Sequence, residues 1–369
     1  MTVFIVGGSN SLMKTGWTKN AAHLFPNEDV VNLSIGATCS LTGLYRSVFT
    51  ADIFSGDTIV WEYALNDANQ ISSGFVSAEF LLKYIELLLA ICFQRRVRFV
   101  ALIFKSQNLE NIEGENDYHT LLKALLDTWD VRYSDISVEY RNDFKVDKVP
   151  ADMFADPLHY SVNSSIMDYI EGHVVSLFAS ATCPAYNERV YSDPKWGIDF
   201  ISHFEGGEGD VVGSRWFSCY AYKPTQTLRH RFKSDGLLLG IILLAAPLGG
   251  AFRISCGTRQ LDVSATLAKP QEITRLSPSF FDPVICPALS FESADELVIS
   301  WSSLNTEDVF CGGVNKRKVS FQDLEGRASA IVGLLVARPG GIGSVQIDQK
   351  AQGDFSIAKH LRNILLRWR

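Results

Sequence analysis

Four short segments of the chain together contain the residue types that acyl transfer by a serine requires. In chain order they supply a hydroxyl nucleophile, a backbone N–H with no side chain beside it, a side-chain amide donor, and an imidazole base with a nearby carboxylate. They are Gly7-Gly8-Ser9-Asn10-Ser11, Ser34-Ile35-Gly36-Ala37, Ala64-Leu65-Asn66-Asp67 and Asp156-Pro157-Leu158-His159. The chemistry they indicate is nucleophilic catalysis with a general base and an oxyanion hole.

The Asp156/His159 pair is the most discriminating of these features. Across a turn that contains a proline, the carboxylate can hold the imidazole by its Nδ1–H while Nε2 faces a nucleophile. The other histidines have no comparable arrangement. Ser9, directly after two glycines, is the predicted nucleophile. Ser11 remains an alternative, and its hydroxyl could instead cap the following turn.

Three groups are predicted to stabilise the oxyanion that forms during acyl transfer. They are the backbone N–H groups of Ser9 and Gly36 and the side-chain amide of Asn66. Taken alone, each of these residues is common in turns, so the interpretation depends on the three groups being close to one another in the folded protein. Asp67, next to Asn66, is expected to anchor its loop rather than to react.

The N-terminal half alternates strand-like and helix-like segments, which predicts a parallel sheet with helices on both faces. Short β-branched and aromatic runs predict strands at residues 2–6, 30–35, 58–65 and 97–104, with a weaker fifth at 131–138. Apolar residues at helical spacing predict helices that begin after Ser77 and at residues 118–129 and 164–178. The first three segments named above follow predicted strands directly, where open α/β sheets bind their ligands.

The chain is long enough for two domains, and its character changes after about residue 185. Short strand candidates separated by turns predict an all-β sandwich or jelly-roll-like module. The predicted organisation is a hydrolase-like domain at 1–183, a linker or long loop at 184–213, and a β-sandwich-like accessory domain at 214–369 that ends in a helix near 357–368. The uncharged run at 236–252 is interpreted as two buried strands joined by a Pro/Gly turn, rather than as a membrane span.

Composition and net charge argue against some classes of partner and cofactor. The formal net charge of −7 argues against nucleic acid or an anionic membrane as the main partner. The seven cysteines are scattered without Cys-x-x-Cys spacing, which predicts reduced thiols, and no metal or other cofactor is expected. The strand at 2–6 leaves no room for a signal peptide, so a cytoplasmic location is expected.

The four segments resemble, in the family's order, the four conserved blocks of the SGNH/GDSL hydrolase superfamily, over roughly residues 1–180. The resemblance implies a flavodoxin-like three-layer α/β/α sandwich. It also implies roles for individual residues: Ser9 as nucleophile, His159 as general base, Asp156 as the acid that orients it, and Ser9, Gly36 and Asn66 as the oxyanion hole. One position departs from the family pattern, because Gly8 stands where the family typically has Asp.

The expected function is therefore a serine esterase that removes short, acetyl-like acyl groups from a carbohydrate or related ester. The preference for a carbohydrate rests on analogy, since many proteins with this fold carry a β-rich module that binds glycan or shapes the substrate cleft. Two alternatives stay open: an acyltransferase that passes the acyl group to a sugar hydroxyl with the same triad, and a non-catalytic glycan-binding or scaffold protein.

Overall fold

The chain divides into two compact units, Met1–Asp193 and Pro194–Arg369. The structure, a computed structural model, describes residues 1–110, 117–162, 165–186, 190–192, 196–207, 209–213, 218–222, 227–245, 250–265, 275–285, 289–301 and 329–339. The division at Asp193 lies later than the predicted end of the first domain at residue 183.

The N-terminal domain is built on a five-stranded sheet in the order β2-β1-β3-β4-β5, and every neighbouring pair is parallel. The strands are β1 Thr2–Gly7, β2 Asp29–Asn32, β3 Thr58–Glu62, β4 Arg98–Ile103 and β5 Arg132–Asp135. This order confirms the predicted parallel α/β sheet and is that of flavodoxin-like folds. The strand order reverses between β1 and β3, so a crevice for ligands is expected where these two strands end.

Helices cover both faces of this sheet. They are α1 Ser9–Leu12, α2 Ala21–Leu24, α3 Ser40–Phe49, α4 Ala64–Ser72, α5 Ala78–Arg95, α6 Gln107–Glu110, α7 Asp117–Thr128, α8 Ile136–Phe144 and α9 Ile166–Ala179. On one face, Gly43 of α3 lies against Val6 of β1, and α3 packs on α5. On the other face, Ile5 of β1 shares an apolar core with Ile170 of α9 and Leu24 of α2. The result is the predicted three-layer α/β/α sandwich.

Helix α5 forms as its sequence predicts. The Ser77 side chain caps its first turn by accepting a hydrogen bond from the Phe80 N–H, at 3.2 Å. Glu86, on the same helix, is fully buried and accepts hydrogen bonds from the backbone N–H groups of Val190, Tyr191 and Ser192. This carboxylate ties the last segment of the domain to its core, which explains why the domain extends beyond residue 183.

The C-terminal unit consists of antiparallel sheets, as predicted. A seven-stranded sheet and a four-stranded sheet, β11-β17-β13-β14, share one apolar core. The strands are β8 Trp196–Ile201, β9 Gly209–Gly213, β10 Ser218–Tyr222, β11 Leu228–Arg231, β12 Gly236–Ala245, β13 Ala251–Cys256, β14 Arg259–Ser264, β15 Arg275–Phe280, β16 Ser290–Phe291, β17 Glu296–Trp301 and β18 Ala330–Pro339. The N-terminal domain has two further short strands, β6 Phe154–Asp156 and β7 His159–Tyr160, in the hairpin that precedes α9.

One prediction for this half changes. Residues 184–213, predicted as a linker or long loop, contain β8 and β9, because β8 pairs with β18 and β9 pairs with β10. The run at 236–252 does contain two strands, β12 and β13, and no helix in the described part of the chain is long and apolar enough to cross a membrane. The helix predicted near 357–368 lies outside the described residues.

Candidate active site

Ser9 lies at the end of β1, where the chain turns into α1. Its Oγ is 2.8 Å from Nε2 of His159, which is within hydrogen-bond distance although 150 positions separate the two residues. Ser9 is partly exposed, so a substrate can approach its hydroxyl. The structure thus brings the predicted nucleophile and the predicted base into contact.

His159 and Asp156 lie opposite each other in a short antiparallel hairpin, formed by Phe154–Asp156 and His159–Tyr160. The Asp156 Oδ2 is 2.7 Å from Nδ1 of His159, and its Oδ1 accepts hydrogen bonds from the N–H groups of Leu158 and His159 at 2.8 Å and 3.0 Å. The two-residue turn therefore holds the carboxylate and the imidazole on one side. On the far side of the turn, the Gln107 N–H donates to the Pro157 carbonyl at 2.9 Å.

The environment of Asp156 keeps its carboxyl group ionised at neutral pH. Partial burial raises the pKa of this group, but the hydrogen bonds from the Leu158 N–H and from His159 outweigh that effect and lower the pKa below its usual value. An ionised carboxylate can only accept a hydrogen bond, so the proton of a neutral His159 ring lies on Nδ1. Nε2 is then free to accept the proton of the Ser9 hydroxyl.

Ser11, the alternative nucleophile, does not face His159. Its side chain is fully buried, and its Oγ donates a hydrogen bond to Oε2 of Glu62 at 2.6 Å. The Ser11 hydroxyl therefore supports the turn from inside the domain. Of the two serines, Ser9 is the one whose Oγ lies within hydrogen-bond distance of His159.

Gly36 lies directly beside the nucleophile. A Cβ at Gly36 would be 3.1 Å from the Ser9 Cβ and 3.6 Å from the Ser9 N, so a larger residue would crowd Ser9. The Ile35 N–H donates to the Gly7 carbonyl at 3.0 Å, which ties this loop to the end of β1. Ala37 then adopts a left-handed conformation with φ +58°, which bends the chain sharply after Gly36.

Asn66 lies over Gly8, one residue before the nucleophile. A Cβ at Gly8 would be 1.9 Å from Oδ1 of Asn66 and 3.0 Å from its Nδ2, so the NH2 end of the amide points further from Gly8. The three predicted oxyanion donors, on Ser9, Gly36 and Asn66, thus belong to neighbouring segments: the start of α1, the loop after β2 and the first turn of α4. An Asp at position 8, the residue that the family pattern typically has there, would occupy the space of the Asn66 side chain.

Sequence reasoning missed Glu62, the last residue of β3. Its carboxyl group is fully buried beside the turn of residues 7–11 that contains Ser9, which we call the nucleophile turn. The Oε2 atom of Glu62 accepts hydrogen bonds there from the Ser11 Oγ and, at 3.1 Å, from the Gly8 N–H. Within the described residues, its Oε1 is buried without a hydrogen-bond partner. One signal could have revealed this residue: an acidic side chain inside the apolar run 58–65, which was predicted to be a buried strand.

Asp67 acts as a second buried anchor, and its position agrees with the expected anchoring role. Its Oδ1 accepts a hydrogen bond from the Ser40 N–H at the start of α3, and its Oδ2 accepts one from the Tyr118 hydroxyl at 2.6 Å. Burial raises the pKa of Asp67 from 3.8 to about 7, although the hydrogen bonds from Tyr118 and Ser40 oppose the shift. Asp67 thereby links the first turn of α4, which contains Asn66, to the chain that follows Gly36.

The part of the chain that the structure describes contains no group of three or more His, Cys, Asp or Glu side chains arranged to hold a metal ion. Its cysteines, Cys39, Cys92, Cys183, Cys219 and Cys256, are free thiols.

Comparisons with known proteins support the fold. No protein-family model and no curated protein matches the chain. Among solved structures, the chain is similar to a two-domain esterase (CEX) that is active on acetylated mannans and was co-crystallized with mannopentaose, with a TM-score of 0.61, 11% identity and 92% of both chains covered. At that identity, the similarity shows a shared fold: a parallel α/β domain followed by a second domain with antiparallel β-sheets.

Two further similar structures cover about half of the chain. A member of the lipolytic G-D-S-L family from Veillonella parvula has a TM-score of 0.38 and 13% identity, and the match covers 49% of this chain and 99% of that one. The acetyl xylan esterase AlAXEase has a TM-score of 0.36 and 12% identity, with the same two coverages.

Replacement of Gly8 by a residue with a side chain is predicted to destabilise the protein. In Gly8→Ala the new methyl group meets the Asn66 amide, and we expect the free energy of unfolding to fall by about 1–3 kcal/mol, with a larger loss for Gly8→Asp. Denaturant-induced unfolding measures the change. The matched control is Gly172→Ala in α9, where the added methyl meets no atom within 4 Å and stability should be kept or increased. Equal stability of Gly8→Ala and the wild type would contradict the contact with Asn66.

Glu62 is predicted to make the protein less stable as the pH rises. Burial raises the pKa of Glu62 from 4.5 to about 8, against the hydrogen bonds from Ser11 and the Gly8 N–H. Between these values the folded state binds more protons than the unfolded state, so the free energy of unfolding falls with rising pH. Asp67 acts in the same direction up to about pH 7, so the interval from pH 7 to 8 isolates Glu62 most clearly.

The measurement compares the pH dependence of unfolding in the wild type and in Glu62→Gln, which cannot ionise. We expect the wild type to lose stability relative to the variant as the pH is raised from 5 through 8. Parallel curves for the two proteins would show that Glu62 titrates normally, and would refute this prediction.

Proposed function

We propose that the protein is a serine esterase that removes short acyl groups, such as acetyl, from a carbohydrate or a related ester. The observation that carries the proposal is the continuous series of contacts from Asp156 through His159 to Ser9, with 2.7 Å and 2.8 Å between the bonding atoms. A carboxylate, an imidazole and a serine hydroxyl in this arrangement activate the serine as a nucleophile.

The reaction proceeds in two steps. His159 Nε2 takes the Ser9 proton while Oγ attacks the ester carbonyl carbon, and the N–H groups of Ser9 and Gly36 and the Asn66 amide stabilise the resulting oxyanion. The intermediate collapses as His159 returns the proton to the leaving alkoxide, which leaves an acyl group on Ser9. Water, deprotonated by His159, then hydrolyses the acyl-enzyme, while Asp156 orients the imidazole and stabilises its cationic form in both steps.

Solvent access to the base favours hydrolysis over transfer of the acyl group to a sugar hydroxyl. The side chain of Asp156 is 51% exposed and that of His159 is 26% exposed, so water can reach the imidazole. A transferase using the same residues would have to exclude that water from the acyl-enzyme. Product analysis with and without a sugar acceptor distinguishes the two, since a transferase would form a new sugar ester.

The residues around the nucleophile favour a short acyl group. Gly8 and Gly36, which lie next to Ser9, and Asn66, which lies over Gly8, are small or polar. A long acyl chain gains its binding energy from burial against apolar surface, at about 0.8 kcal/mol per CH2 group, and these side chains offer little of it. Acetyl needs no such surface.

The carbohydrate part of the proposal is supported by the similarity to the two-domain esterase described above, whose substrates are acetylated mannans. The likeness covers 92% of both chains and so includes the second, β-rich unit. The proposal that the alcohol part of the ester is a carbohydrate is tested by comparing the rate of acetate release from acetylated manno-oligosaccharides with the rate from a simple alkyl acetate. A preference for the alkyl acetate would count against a carbohydrate substrate.

Ser9→Ala is predicted to abolish ester hydrolysis, whereas Ser11→Ala is not. On p-nitrophenyl acetate, we expect the first change to lower kcat by more than about 1,000-fold, because it removes the nucleophile. Ser11→Ala removes a buried hydrogen bond to Glu62 and should act mainly on stability. Steady-state kinetics on folded protein, verified by circular dichroism, make the comparison. Full activity of Ser9→Ala would exclude Ser9 as the nucleophile.

Asn66→Ala is predicted to lower kcat by about 100–1,000-fold with little change in KM, because the amide stabilises charge that develops only in the transition state. Asn69→Ala is a matched control, since Asn69 is exposed on the same helix, α4. It should retain wild-type kinetics. If the two variants behave alike, Asn66 does not donate to the oxyanion.

A further inference from the structure

We propose that Asn10 is a positioning residue that sets the distance between the nucleophile and its base. This role rests on the proposed esterase function, because it concerns the contact between Ser9 and His159. Asn10 follows Ser9 directly in the chain, is 2% exposed, and makes no contribution to the reaction described above.

The Asn10 amide binds at two points to the hairpin of residues 154–160, which contains His159 and which we call the base hairpin. Its Nδ2 donates to the Leu158 carbonyl at 3.1 Å, and its Oδ1 accepts from the Tyr160 N–H at 3.2 Å. These two backbone groups belong to the residues on either side of His159. The residue after the nucleophile is therefore joined to both neighbours of the base.

The chemistry of this contact suits an asparagine. One bond requires a donor and the other an acceptor, and a planar side-chain amide provides both from the same group. An aspartate of the same shape would keep the bond to the Tyr160 N–H but would turn a second oxygen toward the Leu158 carbonyl. An alanine would leave both backbone groups without this partner, of which the Tyr160 N–H is buried.

The location of the Asn10 contact indicates that it positions His159 relative to Ser9, in addition to supporting the fold. The hairpin is also held by the Gln107 N–H, which donates to Pro157, and by the Tyr160 ring, which packs on Phe104 and Phe154. These contacts keep the hairpin folded, but none of them reaches the nucleophile turn. The Asn10 amide does reach it, so its loss should let Ser9 and His159 separate while the domain stays folded.

The expected effect is on the rate of the chemical step. A misplacement of about 1 Å between reacting groups can cost on the order of 100-fold in rate. We therefore expect Asn10→Ala to lower kcat on p-nitrophenyl acetate by about 10–100-fold, with KM changed by less than about threefold. Asn10→Asp should also lower kcat while retaining the bond to the Tyr160 N–H.

Thr18→Val provides a matched control. The Thr18 hydroxyl donates to the Ser11 carbonyl at 3.1 Å, so this variant also loses a hydrogen bond to α1, but one that does not involve the base hairpin. We expect Thr18→Val to lower the melting temperature while its kcat remains within about threefold of the wild type.

Hydrogen–deuterium exchange adds a readout that does not depend on activity. The Tyr160 amide should exchange faster in Asn10→Ala than in the wild type, and should stay protected in Asn10→Asp and Thr18→Val. If Asn10→Ala does not fold, Asn10→Asp serves for the kinetic test.

The outcomes separate this role from the proposed function. A wild-type protein without ester hydrolysis would overturn the proposed function and this role with it. An active wild type, together with an Asn10 variant whose kcat is unchanged or falls no more than that of Thr18→Val, would overturn only the positioning role. An unchanged exchange rate of the Tyr160 amide in Asn10→Ala would overturn it as well.

Discussion

The contact between Ser9 and His159 depends on two segments that are too short to hold themselves in place. α1 has four residues, and the strand that contains His159 has two. An isolated helix or hairpin of this size is not stable in water, so hydrogen bonds from the surrounding domain must fix both segments. Glu62 fixes the nucleophile turn by accepting hydrogen bonds from Ser11 and Gly8, and Gln107 fixes the base hairpin by donating a hydrogen bond to Pro157.

The two buried acidic residues near the candidate site make the stability of the domain depend on pH. Glu62 and Asp67 are both fully buried, and burial raises the pKa of each toward or above neutrality. A buried carboxyl is stable mainly in its neutral form unless it is paired, so these two residues reduce the stability of the domain as the pH rises. In return, each one fixes a loop of the candidate site. A neutral Glu62 also adds no negative charge where an oxyanion would form.

Much of the N-terminal domain could be predicted from sequence, because its strands are buried on both faces and are therefore continuous apolar runs. α5 was also recognisable, since Ser77 caps it and its apolar residues recur at helical spacing. Three of the four polar segments could be placed at one sheet edge because they follow these strands. In contrast, α8 was not predicted, although the Asp135 side chain caps it by accepting from the Val138 N–H.

The features that could not be predicted depend on contacts between distant residues. The pairing of β8 with β18 joins residues more than a hundred positions apart, so nothing local in the Gly- and Asp-rich segment indicated a strand. Gly8 was recognised only as a departure from the family pattern, and its close contact with the Asn66 side chain is visible only in the structure. The roles of Asn10 and Glu62 could not be recognised either, because their hydrogen-bond partners are distant in the sequence and come close only in the folded domain.

Covalent labelling of the nucleophile tests the central claim most directly. An alkyl fluorophosphonate reacts with a serine that a neighbouring imidazole activates, and mass spectrometry locates the added group. The account predicts one phosphonyl group per chain, placed on Ser9 by fragmentation of the N-terminal peptide, and its loss in His159→Ala. A label on Ser11, or labelling of Ser9 that persists in His159→Ala, would contradict it.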